Sequence, residues 1–468
     1  MLEFRDFSRY FQSPPRLEDM LGGEKDARHA RRAPLAIIVP AYKDHPRLKT
    51  LFSALKTQAF QDFDLLIIYG AEDEFLPEPK LSILHVKRRA ENDLAFCGAV
   101  YLGQLLALRD QYEYLLITDI DKLPVSADAL GALMERAQSS GADITYGRWM
   151  RAGDLTSGPD GGALPRPASA AQKKLTVWPS LWAPIRTAHV RRIGLYLAPL
   201  YMGFDDPEYG CRLATQARIS VLPRAVFSTG DLAVKRATTF TLLQSGGADR
   251  TYFYSTLLGM LNFPEAFVFS YTRTGRLLKP VQFLLYALVT FPQIFLLKAR
   301  LPDFEDYYQR ASRAQYGLPS FKGLEQQVQV REANPDEAAA AARAPRLEFP
   351  PSTLRFYAGH LRWLASSLLA PRTRPAVPMH HLDYFTASLF DDYFVQDAEG
   401  KIYCVHWLRP LGRGQKLAAL LSAYLAMAVC TVNGLVRGLL NSHHAMCAYG
   451  KEAIAALPPS KRAGPKNE

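Results

Sequence analysis

The sequence predicts an α/β fold: a mostly parallel sheet flanked by helices, carrying a helical C-terminal extension and a β-hairpin. Three observations lead there. Short apolar runs recur between residues 35 and 121, as strands buried on both faces require. Segments of helical length and periodicity separate most of them, the alternation expected of a doubly wound sheet. Beyond about residue 240 this alternation gives way to longer apolar segments and one strand-like stretch.

Taken in order, residues 1–33 read as an N-terminal helix and a linker. Leu2, Phe4, Phe7, Tyr10 and Phe11 recur at roughly helical spacing, suiting a short helix docked on a core or lying on a membrane surface. A charged, glycine-containing stretch follows. LAIIVP (35–40) is the first strand, and a helix over 45–58 places Leu48, Leu51, Phe52 and Leu55 on one face. DLLIIYG (64–70) and LSILHVK (81–87) are the second and third strands, and residues 91–109 form a helix. YLLITDID (114–121) is the fourth strand, and 129–141 is a helix closed by glycine. This α/β domain is expected to span 34–240, with a helical segment over 241–332, membrane-associated or buried. NPDEAAAAARAP, within 333–346, reads as a low-complexity linker. The remaining 347–468 form a C-terminal domain with a hairpin over 384–408 and an apolar helix over 417–436. The latter has twenty residues without a charge, enough either to cross a bilayer or to form a buried helix. A second apolar run, 281–297, is broken by Pro292 and reads as interfacial or buried.

Of the 468 residues, 48% are hydrophobic and 22% charged, which leaves room for a large core. That excludes a wholly disordered, collagen-like or disulfide-scaffold chain. Lys plus Arg number 56 against 45 Asp plus Glu, a net charge of +11 that favours anionic partners. Nucleic acid is not expected among them, because no RNP, helix-turn-helix or zinc signature accompanies the charge. The five cysteines are odd in number, far apart and form no CxxC pair, which suits a reducing compartment. The first residues carry charges throughout and lack the apolar run of a secretory signal, so the amino-terminal part is expected to stay cytoplasmic.

In parallel α/β sheets, ligands bind beyond the carboxyl ends of the strands, so the candidate residues are sought there. Asp119 and Asp121 end the fourth strand. Extended backbone would turn both carboxylates to one side, suiting a hard divalent ion; a polar turn is the plainer reading. In YMGFDDPEYGCRL, Asp206 is a natural N-cap with Pro207 at the first helical position. A well-capped helix start explains that pattern, yet the adjacent Asp205 leaves one carboxylate free to accept a proton. Arg212, about a turn further on, would orient a carboxylate or touch phosphate. Pro40, Tyr42 and Asp44 follow the first strand, Asp73 the second, and Arg88, Arg89 and Asn92 the third; each suits a nucleotide contact or an ordinary loop. Trp178 and Trp182 would stack on an acceptor sugar or pack as core. His380, His381 and Asp383 lack a matching metal-ligand set.

Together these segments carry a resemblance. PLAIIVPAYKDHPRLKTLFSALKTQAFQDFDLLIIYG resembles the opening of family-2 glycosyltransferases of the GT-A (Rossmann-like) fold. TDIDKLP resembles their DxD motif, and MGFDDPEYGCRL their acceptor-side acidic motif, about 80 residues on. GLYLAPLYMGFDDPEYGCRL and TYFYSTLLGML are most similar to bacterial galactofuranosyl- and rhamnosyl-transferase-like branches. The resemblance covers roughly residues 34–300. It implies Asp119 and Asp121 as metal ligands for Mn²⁺ or Mg²⁺, and Asp206 as base with Asp205 second. It implies Pro40, Tyr42, Asp44, Asp73, Arg89, Asn92, Asp119 and Ile120 as nucleotide-sugar contacts, with Trp178, Trp182 and Arg212 on the acceptor side. The chain departs from the pattern at Lys43, where asparagine is usual. AVFSTGDL offers Ser228, Thr229 and Asp231 where many members place a metal-binding histidine. No QxxRW motif is present.

The function so implied is inverting transfer from a nucleotide diphosphate sugar, a UDP-sugar first, to a glycan or lipid-linked acceptor in bacterial cell-surface polysaccharide synthesis. The enzyme would work at the cytoplasmic face of the inner membrane, peripheral or with one C-terminal membrane helix. The alternatives are an inactive transferase-like scaffold of a polysaccharide assembly complex and a sugar nucleotidyltransferase. PAYKDHP lacks the glycine- and arginine-rich phosphate loop the latter needs.

Overall fold

A computed structural model describes residues 14–21, 33–41, 45–71, 73–89, 95–151, 182–198, 209–210, 212–213, 217–229, 292, 295–296, 298–300, 328–347, 353–369, 374–379, 388–397, 399–439 and 449–457. The chain divides into two compact units. The first comprises Met1–Gly230, Gln315–Leu318 and Gly438–Glu468, and the second Asp231–Ala314 and Pro319–Arg437.

The first unit is α/β. In chain order it contains α1 (Leu17–Met20), β1 (Leu35–Pro40), α2 (His45–Lys56), β2 (Phe63–Tyr69), β3 (Ile83–Lys87), α3 (Ala95–Arg109), β4 (Tyr114–Ile117), β5 (Leu123–Pro124), α4 (Ala129–Ser140), β6 (Ile144–Arg151), β7 (Ile185–Arg186), α5 (Thr187–Ile193) and β8 (Ile219–Thr229). They build one eight-stranded sheet of order β3-β2-β1-β4-β7-β6-β8-β5. β1 runs parallel to β2 and β4, with Leu35 opposite Phe63 and Tyr114. β2 runs parallel to β3, and β6 to β8, while β7 and β5 pair antiparallel. Every residue of β1, β2 and β4 is buried, which explains why their sequences, Asp64 apart, are apolar without alternation.

Packing on this sheet follows the sequence pattern. Leu48, Leu51, Phe52 and Leu55 of α2 join Ile37, Val39, Leu65 and Ile67 in one core cluster. α3 is buried from Cys97 through Leu108. At Gly103 a Cβ would collide with the Ile38 side chain, so glycine there lets the helix lie close against β1. Gly141 closes α4 in the left-handed region at φ 61°. Asp64 is fully buried in β2 and is satisfied by the Ala33 N–H, the Ser82 hydroxyl and the Tyr112 hydroxyl.

One element ends earlier than its sequence suggests. β4 stops at Ile117, and residues 119–122 form a turn in which the Lys122 N–H donates to the Asp119 carbonyl at 3.1 Å. A turn, not strand alternation, therefore brings Asp119 and Asp121 together.

The second unit contains β9 (Val328–Glu332), α6 (Pro335–Arg343), α7 (Thr353–Leu369), β10 (Ala376–Pro378), β11 (Asp392–Gln396), β12 (Ile402–Trp407) and all but the last two residues of α8 (Arg413–Leu439). Its four strands form a sheet of order β10-β11-β12-β9. β11 and β12 are the expected hairpin, closed by Asp397 and by Gly400 at φ 84°. The stretch read as a linker is α6. Asn334 accepts the Glu337 N–H, Glu337 reaches back to the Asn334 N–H, and Pro335 takes the first turn, so alanine propagates a well-started helix. Beside the hairpin, Arg300 donates to Asp391 at 2.7 Å and lies over the Trp407 ring. Lys416 of α8 sits 3.6 Å from the same carboxylate and donates to the Ser367 carbonyl of α7. Burial pulls the Lys416 ammonium below its ordinary range, and Asp391 opposes that shift.

Candidate functional site

Four parallel strands, β3, β2, β1 and β4, deliver their carboxyl ends to one edge of the first unit's sheet. Pro40 ends β1 and is buried, and the Ala41 N–H after it donates to Ile68 at 2.9 Å. Beyond β2 the chain turns at Gly70. There Asp73 is 5% exposed and accepts the Gly70 N–H at 3.1 Å. The Tyr69 hydroxyl accepts the Leu76 N–H at 3.1 Å, tying the loop back to its strand. Asp73 follows β2 and the acidic turn follows β4, and β1 lies between those two strands.

The turn after β4 gathers three charged side chains, Asp119, Asp121 and Lys122. The Asp119 carboxylate accepts the Ile120 N–H at 2.9 Å, and Ile120 packs its side chain against the core. The Lys122 ammonium pairs with Asp121 and lies 4.0 Å from Asp119. Its side chain is only 7% exposed, against 14% for Asp121 and 35% for Asp119. Two carboxylates thus share one nearly buried cation. β5 follows at once and pairs Leu123 with Ser228 near the end of β8, where the Ser228 hydroxyl donates to the Leu123 carbonyl at 3.3 Å. Ser228, one of the three residues that AVFSTGDL offers for a third ligand, therefore lies beside the acidic turn.

Trp182 has a different part from the sugar platform considered above. It is 1% exposed, stacks on Phe227 at 5.0 Å and 14°, and its indole N–H donates to the Lys122 carbonyl at 3.1 Å. Its own N–H donates to the Ile117 carbonyl, so it clamps both ends of the acidic turn from the core side. Arg212 is also corrected from the acceptor side to the interior. It is 1% exposed, donates to the Ile193 and Leu195 carbonyls at 3.0 and 2.8 Å, and lies over the Tyr209 ring. Tyr209 in turn accepts from Gln104, anchoring to α3 the segment that follows Asp205 and Asp206.

Arg89 is exposed and is fastened to the end of α1: its N–H donates to Met20 at 3.0 Å and its guanidinium to the Leu21 carbonyl. Arg88 is buried and bridges the Tyr69 and Ala95 carbonyls. Tyr42, Asp44, Asn92, Trp178, Asp205, Asp206, Asp231, His380 and His381 lie outside the described residues. Sequence reading assigned no role to Lys122; a cation directly following the acidic pair was the available signal.

No protein-family model matches the chain, and neither does any curated protein. Solved structures do. S. aureus TarS 1–349 in complex with UDP-GlcNAc aligns at 15% identity and a TM-score of 0.33, covering 60% of this chain and 89% of that one. The mannosyltransferase PcManGT from Pyrobaculum calidifontis, in complex with GDP-Man and Mn²⁺, aligns at 17% identity and a TM-score of 0.33, covering 56% and 77%.

Proposed function

We propose that the chain transfers a sugar from a nucleotide diphosphate sugar to a hydroxyl of a glycan or lipid-linked acceptor, with inversion at the anomeric carbon. The setting we assign is cell-surface polysaccharide synthesis at the cytoplasmic face of a bacterial membrane. One observation carries the reading: three carboxylates, Asp73, Asp119 and Asp121, stand at the carboxyl ends of β2 and β4 on either side of β1. In a parallel sheet this edge is where a nucleotide is received.

The residues of the turn fit a divalent ion. Mg²⁺ or Mn²⁺ commonly takes one or two protein carboxylates and completes its shell from water and phosphate oxygens. Asp119 and Asp121 would hold it. Among the described residues no group of three or more His, Cys, Asp or Glu that would hold a metal is present. When bound, the ion supplies positive charge against the leaving diphosphate. Lys122 holds the two carboxylates against their mutual repulsion, and its ammonium is then available to a phosphate oxygen. Asp73 offers a carboxylate to donor hydroxyls. Asp206 is assigned as base, with Asp205 second. The acceptor oxygen attacks the anomeric carbon from the face opposite the diphosphate, the bond from that carbon to the diphosphate oxygen breaks, and the hydroxyl proton passes to Asp206. An aspartate has a low ordinary pKa, so its contribution comes from position rather than basicity.

The decisive experiment is binding and slow hydrolysis of a panel of UDP-, GDP- and dTDP-sugars, with and without Mn²⁺ or Mg²⁺, by wild type and Asp121→Ala. Ion-dependent release of one nucleotide, lost in the variant, is expected. With that donor and its acceptor in hand, Asp206→Asn should lower turnover by about 10²- to 10⁴-fold while leaving the donor dissociation constant within a few-fold. Equal loss of both overturns the base assignment. Binding of no donor by folded protein with lipid present moves the reading to an inactive scaffold.

A further inference from the structure

Among the described residues no helix is long and apolar enough to cross a membrane. α8 nevertheless turns apolar side chains outward along most of its length. Leu417, Leu421, Leu425 and Val432 are 54–65% exposed, and Ala428 lies among them. Spacings of four, four, three and four residues put all five on one stripe. The opposite positions, Lys416, Leu420, Ala423 and Ala426, are buried. α7 repeats the pattern: Leu361, Ala365 and Leu369 face outward, with Leu369 at 79%, while His360, Leu364 and Ser367 face in. The helices meet within the second unit, where Arg413 and Lys416 of α8 donate to the Leu369 and Ser367 carbonyls of α7.

The charges beside these stripes have one sign. Neither helix contains an acidic residue, whereas Arg362, Arg413 and Arg437 lie along them, Arg362 and Arg413 in water. We infer that the outward faces of α7 and α8 form a docking surface for an anionic lipid bilayer, with both helices lying in the interfacial plane. Leucines on one face with arginines and no acids is the composition of an in-plane amphipathic helix. The arginines choose the occupant. Burying the stripe against a second copy of the chain would bring arginines together with no acidic partner in either helix, whereas anionic headgroups complement them. This surface belongs to the second unit and stands whatever donor the first unit binds.

The test is co-sedimentation of the full chain with vesicles of phosphatidylcholine alone or with about 30% phosphatidylglycerol, comparing wild type with Leu421→Glu/Leu425→Glu. Wild type should bind the anionic vesicles, weaken steeply with salt and be released by alkaline carbonate, and the double variant should lose at least tenfold in partitioning. Circular dichroism guards against misfolding, and a second variant, Arg362→Glu/Arg413→Glu, should lose binding to anionic vesicles without touching the apolar stripe. Sedimentation velocity separates the other occupant. A dimer that the leucine variant splits, with no vesicle binding by wild type, overturns the inference. Equal binding by wild type and variant, or resistance to carbonate extraction, also overturns it.

Discussion

In the turn after β4 a lysine ammonium lies almost out of water between two aspartates, whereas along α8 a row of leucines stands in it. The first place draws charge inward and the second pushes hydrocarbon outward, and each runs against the free-energy preference of its side chains. A chain whose other elements follow their patterns closely is informative at such places. The acidic turn is held by the protein itself: Trp182 grips its backbone at both ends, and Lys122 supplies the counter-charge. The α8 stripe has no such support among the described residues, and its leucines stand exposed. The two regions should therefore respond differently to substitution. The turn should lose stability when altered, and the stripe should lose a partner.

The largest effect is expected at Trp182. Trp182→Ala removes a fully buried indole, its stack on Phe227 and its bond to the Lys122 carbonyl. A loss of about 3–5 kcal/mol is expected from a truncation of this size in a packed core. Denaturant unfolding measures it, and donor binding by the surviving folded fraction should weaken as the turn loosens. A loss below about 1 kcal/mol would show that Trp182 does not hold the turn.

Lys122→Met sharpens the comparison, because it leaves the backbone bonds in place and removes only the cation. Asp119 and Asp121 then lose the ammonium they share, so the ion-free protein should be less stable. Mn²⁺ should bind the variant about tenfold more tightly than wild type without nucleotide, a difference of about 1.4 kcal/mol, near the lower end of what a unit charge at about 4 Å exerts. Isothermal titration reads this directly. Mn²⁺ affinity equal in the two proteins, with metal bound by both, would show that the ammonium does not oppose the ion.

How much of this was legible follows from what each feature needs. β1 and β2 could be read because a strand buried on both faces is apolar almost throughout: LAIIVP is wholly so, and DLLIIYG is apart from Asp64, whose charge is met by hydrogen bonds. The carboxylates of the turn were legible as residues, but their geometry was not. Alternation implied a strand, while the backbone turns after Ile117 and inserts Lys122 between them. Trp182 left two readings open, sugar platform or core, and Arg212 looked like a binding residue, because aromatic and guanidinium groups serve sugars and interiors equally and only burial separates the two uses. α6 was obscured by its alanine run, although Asn334, Pro335 and Glu337 carry a helix-start signal. In α8 the inward and outward faces are both apolar, so no periodicity told which side the unit would cover.

α6 calibrates an ordinary helix start between these extremes. Asn334→Ala removes the side chain that accepts the Glu337 N–H at 2.9 Å and should cost about 1 kcal/mol in thermal unfolding of the second unit. The same cap predicts a pH response. Hydrogen bonding from Arg331, then from the Asn334 N–H, lowers the Glu337 carboxyl from 4.5 to about 2. A folded-state value below the ordinary one stabilises the fold above pH 4.5, and the contribution is lost as pH falls from 4.5 toward about 2. Glu337→Gln should flatten that part of the stability profile. An unchanged acid limb would assign the cap to the Asn334 side alone.

The smallest change in stability is expected where the sequence looks most sensitive, in the middle of α8. Leu421 and Leu425 are 64% and 65% exposed, so replacing both with glutamate removes little buried area from the second unit. Glutamate is also a good helix former, which limits any propensity loss. Unfolding free energy in the absence of lipid should shift by no more than about 0.5 kcal/mol, the usual range for surface positions. Leu420→Glu, one position away on the buried side, should destabilise by several times that amount, because it places a carboxylate in the packed face. The contrast between adjacent leucines is the measurement that counts. If both variants destabilise alike, the outward stripe is covered by the protein's own chain and needs no membrane. If only Leu420→Glu does, the stripe is free surface, and vesicle binding by the same two proteins reports what that surface is for.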